Sequence, residues 1–291
     1  MKPLISIFTP TYNRAHLLTQ LYNSLTAQKY YNFEWIIVDD GSTDTTSEVV
    51  QAFIAENKIP ITYFKKANGG KHLAINKGVE LAKGDLFFIV DSDDYLVAEA
   101  TELITEYYPA ISKAENVAGV SFRRGYDANT YIGSPYFFKD VVLNAHDFRY
   151  KLKITGDMAE VYKTAVLKHY PFPEFLGEVF CSEGLVWNRI AEKYKLLWTS
   201  KIIYIGEYLE GGLTDNSFAT RRNAPKAATL YYEELAKMEV PFLIKIKSVA
   251  NYWRFATYLN ESLFSQWKKV NPILSILALP VILVLKIKDS K

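Results

Sequence analysis

Leu4-Ile5-Ser6-Ile7-Phe8-Thr9-Pro10-Thr11-Tyr12-Asn13 is a short apolar run that stops at a polar turn. Working outward from it, Leu17, Leu18, Leu21 and Leu25 recur at helical spacing, and Phe33 to Val38 is a second apolar run ending at Asp39-Asp40-Gly41. The rhythm continues with a helix over Thr43 to Asn57, which Ser42 or Thr43 is placed to cap. A strand over Ile59 to Phe64, a helix over Lys71 to Lys83 and a strand over Leu86 to Val90 follow, the last ending at Asp91. Apolar strands separated by helices predict an α/β fold, a Rossmann-like, mostly parallel sheet with helices on both faces.

From residue 115 the rhythm dissolves. Val117 to Phe122 reads as a strand, and residues 123–157 as loops and short strands over a cleft. Ser182 to Tyr194 reads as a helix and Lys195 to Ile205 as a strand, with a Gly- and Asn-rich loop over 206–222 of the kind that forms lids. From Ala224 onward the pattern is helical. Two domains are expected: a nucleotide-binding and catalytic domain over 1–215, and a C-terminal helical extension over 216–291.

Composition removes several classes. With 34 basic and 32 acidic residues the net charge is only +2, so no nucleic-acid partner is expected. A hydrophobic share of 49% excludes global disorder. Cys181 is the only cysteine, which excludes a disulfide framework and a cysteine-rich zinc site and fits a reducing, cytoplasmic setting. The run Leu4 to Phe8 is too short for a signal-peptide core.

Near the other end, Pro272 to Leu285 is almost wholly apolar but shorter than the roughly 20 residues of a spanning helix. Lys268, Lys269, Lys286, Lys288 and Lys291 flank it. Two readings stand side by side: peripheral contact with an anionic bilayer, at the inner face of the cell membrane, or docking on the protein or a second subunit.

Ligands of open parallel sheets bind beyond the carboxyl ends of the strands. Three polar clusters fall there: Thr9 to Asn13, Asp39 to Asp44, and Asp91-Ser92-Asp93-Asp94. Each alone is ordinary turn chemistry. Three carboxylates in four residues would repel without a cation, and hard oxygen donors suit Mg2+ or Mn2+ shared with substrate phosphates. Asn68-Gly69-Gly70-Lys71 precedes a helix, where glycine N–H groups can approach an anion and Lys71 adds charge. His72 beside it reads as solvated helix surface. Neither a Walker loop nor a G-x-G-x-x-G follows the first strand.

Pro10-Thr11-Tyr12-Asn13-Arg14, Val38-Asp39-Asp40-Gly41-Ser42-Thr43-Asp44, Asn68-Gly69-Gly70-Lys71 with Ala74 and Asn76, and Asp91-Ser92-Asp93-Asp94 together resemble the family-2 inverting glycosyltransferases over residues 4–95. That resemblance implies a GT-A-type fold holding a nucleotide-sugar donor. It implies donor contacts from Pro10, Thr11, Tyr12, Arg14, Asp40, Lys71, Asn76, Asp91 and Ser92, with Tyr12 packing on the base and Asp40 at the base edge. It puts Asp91 and Asp93 at the ribose and the metal-bridged diphosphate, Asp93 being the metal ligand with Asp91 as a second. Lys71 would lie near ribose or phosphate.

Inverting transfer also needs a carboxylate base for the acceptor hydroxyl. In the family it lies well after the metal motif, at a helix start, often in a Glu-Asp pair. Here Glu183 stands at the start of the helix from Ser182, followed by Gly184 instead of Asp. Glu183 is the chosen base, Glu178 and Asp157 the alternatives; a helix N-terminal carboxylate is the plain reading of Glu183. Trp187 and Tyr208 are candidates for an acceptor platform or for core packing. Arg221 and Arg222 are candidates for a lid over the diphosphate or an exposed charge pair.

The Gln-x-x-Arg-Trp of processive synthases is absent, Tyr252-Trp253-Arg254-Phe255 having the wrong order, so one sugar per encounter is expected. The expected reaction moves a hexose or N-acetylhexosamine, from a UDP-linked donor, to a glycan, glycoprotein or lipid-linked acceptor in surface polysaccharide or glycoprotein assembly. Two competitors are a catalytically silent scaffold for a partner transferase and a sugar nucleotidyltransferase, although the latter's Gly-rich, Arg-bearing first loop is not Thr9 to Arg14.

Overall fold

Every residue of Ile5–Thr11 and of Phe33–Asp39 is buried, as strands covered on both faces must be. In the computed structural model, which describes residues 2–206 and 217–289, these are β1 (Ile5–Thr11) and β2 (Phe33–Asp39), parallel from Ile5↔Phe33 to Thr11↔Asp39. Helix α1 (Ala15–Thr26) joins them. Then come α2 (Thr46–Glu56), β3 (Ile61–Lys65), α3 (Lys71–Leu81), β4 (Leu86–Ile89), β5 (Tyr95–Leu96), α4 (Ala100–Ser112) and β6 (Val117–Gly125). The chain continues through β7 (Val141–Leu143), α5 (Ala145–Tyr150), β8 (Met158–Lys163), α6 (Thr164–Leu167), α7 (Gly184–Ala191) and β9 (Lys195–Ile205). Helices α8 (Ser217–Arg222), α9 (Pro225–Lys237), α10 (Phe242–Ala256), α11 (Leu263–Lys269) and α12 (Pro272–Asp289) complete it.

The strand order is β3-β2-β1-β4-β8-β6-β9-β5, with β7 on β9. β3, β2, β1 and β4 are parallel neighbours. β8 runs antiparallel between β4 and β6, β6 and β9 are parallel, and β5 and β7 pair antiparallel with β9. The alternation read in the first hundred residues is therefore the parallel half, and the sheet becomes mixed where that alternation stops. Strand β8 and helix α4 have no counterpart in the sequence reading. Helix α2 starts later than expected, capped by neither Ser42 nor Thr43: Asp44 Oδ1 accepts from Thr46 N at 3.1 Å and Thr46 Oγ1 at 2.6 Å.

Contacts divide the chain into two units, Met1–Pro171 with Lys193–Tyr208, and Phe172–Glu192 with Leu209–Lys291. The first holds the whole sheet. Phe172–Glu192, which the single cut drawn from sequence kept with the sheet, groups with the C-terminal helices. In that second unit Ala236, Val249, Ala250, Ala278 and Ile282 form a core of mostly small side chains, so α10 and α12 pack closely.

In the first unit Trp35, Tyr22 and Phe53 stack in the core, and Trp35 Nε1 donates to Thr9 Oγ1 at 2.9 Å. A buried polar knot closes the approach to β4. Glu34 Oε1 accepts from Ser6 Oγ at 2.7 Å and Lys83 N at 2.8 Å, while Ser6 Oγ accepts from Gly84 N at 2.8 Å. A Cβ on Gly84 would stand 2.6 Å from Ser6 N. Gly84→Ala should therefore cost about 2 kcal/mol of stability through overpacking. A lowered melting temperature, with the native circular-dichroism spectrum retained, is the expected result.

Candidate active site

Strands β1 to β4, β6 and β9 all run in one direction, so their carboxyl ends share an edge. Chain order reverses at β1, with β2 on one side of it and β4 on the other. A crevice beyond such a reversal is the ligand position of open α/β sheets. The loops after β1 and β4 meet there: Arg14 Nη1 lies 2.6 Å from Asp93 Oδ2.

Asn13 fastens the first loop to the second. Its φ of +52° is in the left-handed region that Asn tolerates better than most residues. Its N–H donates to Ser42 Oγ at 2.9 Å, and its Oδ1 accepts from Thr43 N at 2.8 Å. Asp44 Oδ2 accepts from Ala15 N at 3.1 Å. Pro10 and Thr11 are buried in β1, whereas Tyr12 just beyond it is 48% exposed.

The carboxylates of this edge differ in how firmly they are held. Asp39 is fully buried and accepts from Ser42 N at 2.7 Å and Tyr63 OH at 2.6 Å. Asp40 Oδ1 accepts from Lys66 Nζ at 2.6 Å and Gly69 N at 3.0 Å, and its Oδ2 from Gly70 N at 2.7 Å. The anion met by the glycine N–H groups is thus Asp40 itself. This corrects the expectation that they are aimed at an external anion.

Asp91 Oδ1 lies 2.6 Å from Lys71 Nζ. Burial pushes Asp91 up, but Lys71, Arg124 and Arg14 together hold it below the usual carboxylate range. Asp94 goes the other way, to about 7: burial and the neighbouring Asp91 and Asp93 charges outweigh Tyr204 and Arg124. Tyr204 OH donates to Asp94 Oδ2 at 2.5 Å and accepts from Asp91 N at 3.0 Å. Arg124 stacks on the Tyr204 ring at 4.0 Å and donates from Nε to Met158 O at 3.0 Å. Ser92 is buried between these acids, and Asn76 is half-buried on α3.

Two sequence expectations change here. Repulsion in Asp91-Ser92-Asp93-Asp94 is met by Lys71, Arg14, Arg124 and Tyr204, so crowding does not by itself require a metal. His72 is not solvated surface but buried, and burial lowers its pKa to about 4. Arg124 and Tyr204 escaped the sequence reading. Their one signal was an arginine pair, Arg123-Arg124, at the end of an apolar strand.

Asp157 is exposed in the first unit, beside Met158, whose carbonyl binds Arg124. The remaining candidates belong to the second unit. Glu178 is buried and caps α9, its two oxygens accepting from Lys226 N at 2.8 Å and Ala227 N at 2.9 Å. Ala224 at the N-cap position offers no side-chain acceptor of its own. Glu183 is half-buried at the N-cap of α7 and its side chain does not cap that helix. A Cβ on Gly184 would meet the Tyr231 ring at 3.1 Å, so Tyr231 takes space that an Asp side chain would need.

Cys181 is buried and its thiol is pushed up to about 12 by that burial, which disfavours thiolate chemistry. Trp187 is half-buried against Phe172, edge to face at 6.0 Å. Arg221 and Arg222 end α8, the first within 5.7 Å of the Phe180 ring and the second within 5.8 Å of Phe218. Tyr208 and Gly211-Gly212 lie outside the described residues.

Among the described residues no group of three or more His, Cys, Asp or Glu side chains is arranged to hold a metal ion. The donor chemistry of Asp91 and Asp93 still fits a divalent cation of the Mg2+ class, which binds through one or two carboxylates and completes its shell with substrate phosphates and water.

A sequence profile described as Glycosyl transferase family 2 matches residues 6–169. The glycosyltransferase GlyG of Streptococcus pneumoniae serotype 4 is 28% identical over 222 residues, covering 72% of this chain and 70% of that protein. The poly(ribitol-phosphate) beta-N-acetylglucosaminyltransferase TarS of Staphylococcus aureus is 29% identical over 180 residues, which is 59% of this chain and 30% of TarS. The crystal structure of TarS 1–349 in complex with UDP-GlcNAc has a TM-score of 0.64 at 22% identity, covering 90% of this chain and 78% of that one. A mannosyltransferase from Pyrobaculum calidifontis in complex with GDP-Man and Mn2+ has a TM-score of 0.59 at 17% identity, covering 98% and 81%. These two structures speak to the fold. With more than half of its residues inside the family profile, the chain belongs to glycosyl transferase family 2 and is a sugar-transferring enzyme.

Proposed function

We propose that this enzyme is a metal-dependent, inverting, non-processive transferase that moves a hexose or N-acetylhexosamine from a UDP-linked donor to a glycan, glycoprotein or lipid-linked acceptor. The observation that carries the reading is the pair of ion pairs at the switch point, Lys71–Asp91 and Arg14–Asp93, each at 2.6 Å. Their side chains are partly exposed, and partly exposed ion pairs cost little to open. Two cations then turn to a diphosphate, and two carboxylates become free for a divalent ion. The site is electrically balanced before and after the exchange.

Asp91 and Asp93 would hold the ion, which would supply neutralisation of the departing diphosphate. Lys71 and Arg14 add positive charge to the same leaving group. Tyr12 offers its exposed ring to the nucleobase, over a floor that Asp40 builds by holding the loop from Lys66 to Gly70. The choice of UDP rests on the Tyr12 and Asp40 pattern, and TarS, which is named for N-acetylglucosamine transfer, supports it.

In the displacement the acceptor oxygen bonds to the anomeric carbon as the carbon–diphosphate bond breaks, and the acceptor proton passes to a carboxylate. Glu183 is our choice for that base. Glu178 ranks below it because both its oxygens are committed to capping α9, which leaves Asp157 as the other candidate.

Asp93→Ala should lower kcat by at least about a hundredfold, the scale of losing one preorganised charge partner. Chelation should abolish transfer and added Mn2+ restore it; full activity in a chelator sinks the metal assignment. Glu183→Gln should cost about a hundredfold or more in kcat at little change in donor affinity. A normal rate in Glu183→Gln together with a loss in Asp157→Asn would move the base to the first unit. Thermal stabilisation by UDP-sugars but not by GDP-sugars, read in the presence of Mn2+, checks the base assignment.

A further inference from the structure

Helix α12 is apolar on two faces, and only one of them is covered. Ala278 and Ile282 pack into the core shared with α10, where Trp253 Nε1 also donates to Ser275 Oγ at 2.9 Å. The opposite face carries Ile273, Ile276, Leu277, Leu283, Val284 and Ile287 at the three- and four-residue spacing of one helical stripe, each about half exposed or more. Next to it in sequence, α11 exposes Leu263 at 70% and Phe264 at 72%. An apolar stripe like that of α12 is unusual on a protein surface that meets only water.

Charge decides what covers it. From Leu263 to Asp289 the chain has four lysines, Lys268, Lys269, Lys286 and Lys288, against one aspartate. That aspartate, Asp289, is paired with Arg254, and nearby Glu261 is paired with Lys269 at 2.7 Å. Counting these partners, Arg254 and the four lysines stand against Glu261 and Asp289, so the rim carries a net positive charge. A second copy of the chain related by a two-fold axis would set lysines against lysines, because such an interface meets itself. A bilayer rich in anionic headgroups answers the rim with opposite charge and the stripe with acyl chains.

We infer that the exposed face of α12, with Leu263 and Phe264 of α11, lies in the plane of an anionic lipid bilayer and holds the enzyme at its surface. Insertion across the bilayer does not fit. No single described helix is long and apolar enough to cross, α11 and α12 meet at 108°, and one side of α12 is packed on protein.

Flotation of the full chain with vesicles tests this. The chain should float with phosphatidylglycerol–phosphatidylcholine vesicles, less so as salt rises, and stay behind with phosphatidylcholine alone. Ile276→Glu with Leu283→Glu should weaken binding more than about tenfold at an unchanged melting temperature, since both side chains are exposed. Lys286→Ala and Lys288→Ala should each cost about fivefold. No flotation with the anionic vesicles, or equal flotation with both kinds, overturns the assignment. So does a dimer in light scattering that the two glutamate substitutions dissolve.

Discussion

Carboxylates gathered at the end of a sheet must each be matched, and the way each is matched decides what it can do. At the shared edge, Asp39 and Asp40 are held largely by backbone N–H groups, from Ser42, Gly69 and Gly70. Such donors cannot swing away without breaking a loop, so these two acids are architecture. Asp94 is held by a buried tyrosine whose hydroxyl also binds the backbone of Asp91. Asp91 and Asp93 answer to the ends of long side chains, Lys71 and Arg14, whereas Asp40 keeps its two glycine N–H donors beside Lys66. Lysine and arginine termini can move several ångströms by rotamer changes. The acids free to exchange partners are therefore the two at the crevice.

The same distinction explains what could be read beforehand. Strand ends, the parallel half of the sheet and the order of the polar clusters follow from apolar runs and their spacing, which are local. The partners that sort the acids are not local. Tyr204 reaches Asp94 from 110 residues away, on a strand whose direction only the topology defines. Counting acids in Asp91-Ser92-Asp93-Asp94 gave repulsion, because Lys71, Arg14 and Arg124 lie on three other elements. His72 looked like surface because it follows Lys71 at a helix start. The helix in fact presents it with Ala74, Ile75, Gly78 and Val79 to the interior.

Glu178 shows the limit of motif reasoning about a base. Its sequence neighbourhood has the carboxylates, glycine and aromatics of an acceptor wall, and nothing in it points forward to residues 226 and 227. Yet α9 begins with Ala224 and Pro225, which leave the next two N–H groups without a local acceptor, and Glu178 supplies both. Both oxygens of Glu178 are thereby committed to the start of α9 instead of to an acceptor hydroxyl.

Glu183 occupies the start of a helix as well, but its side chain does not cap it, and that difference separates the two acids more firmly than their position relative to any motif. The glycine after it carries a physical reason of its own. Tyr231 of α9 crowds Gly184, while Arg189 of α7 grips Glu234 of the same helix through two bonds of 2.7 Å. Close approach of α7 to α9 therefore favours a residue without a side chain at 184. The departure from a Glu-Asp pair is thus accounted for by helix packing inside the second unit, without any loss of the carboxylate at 183.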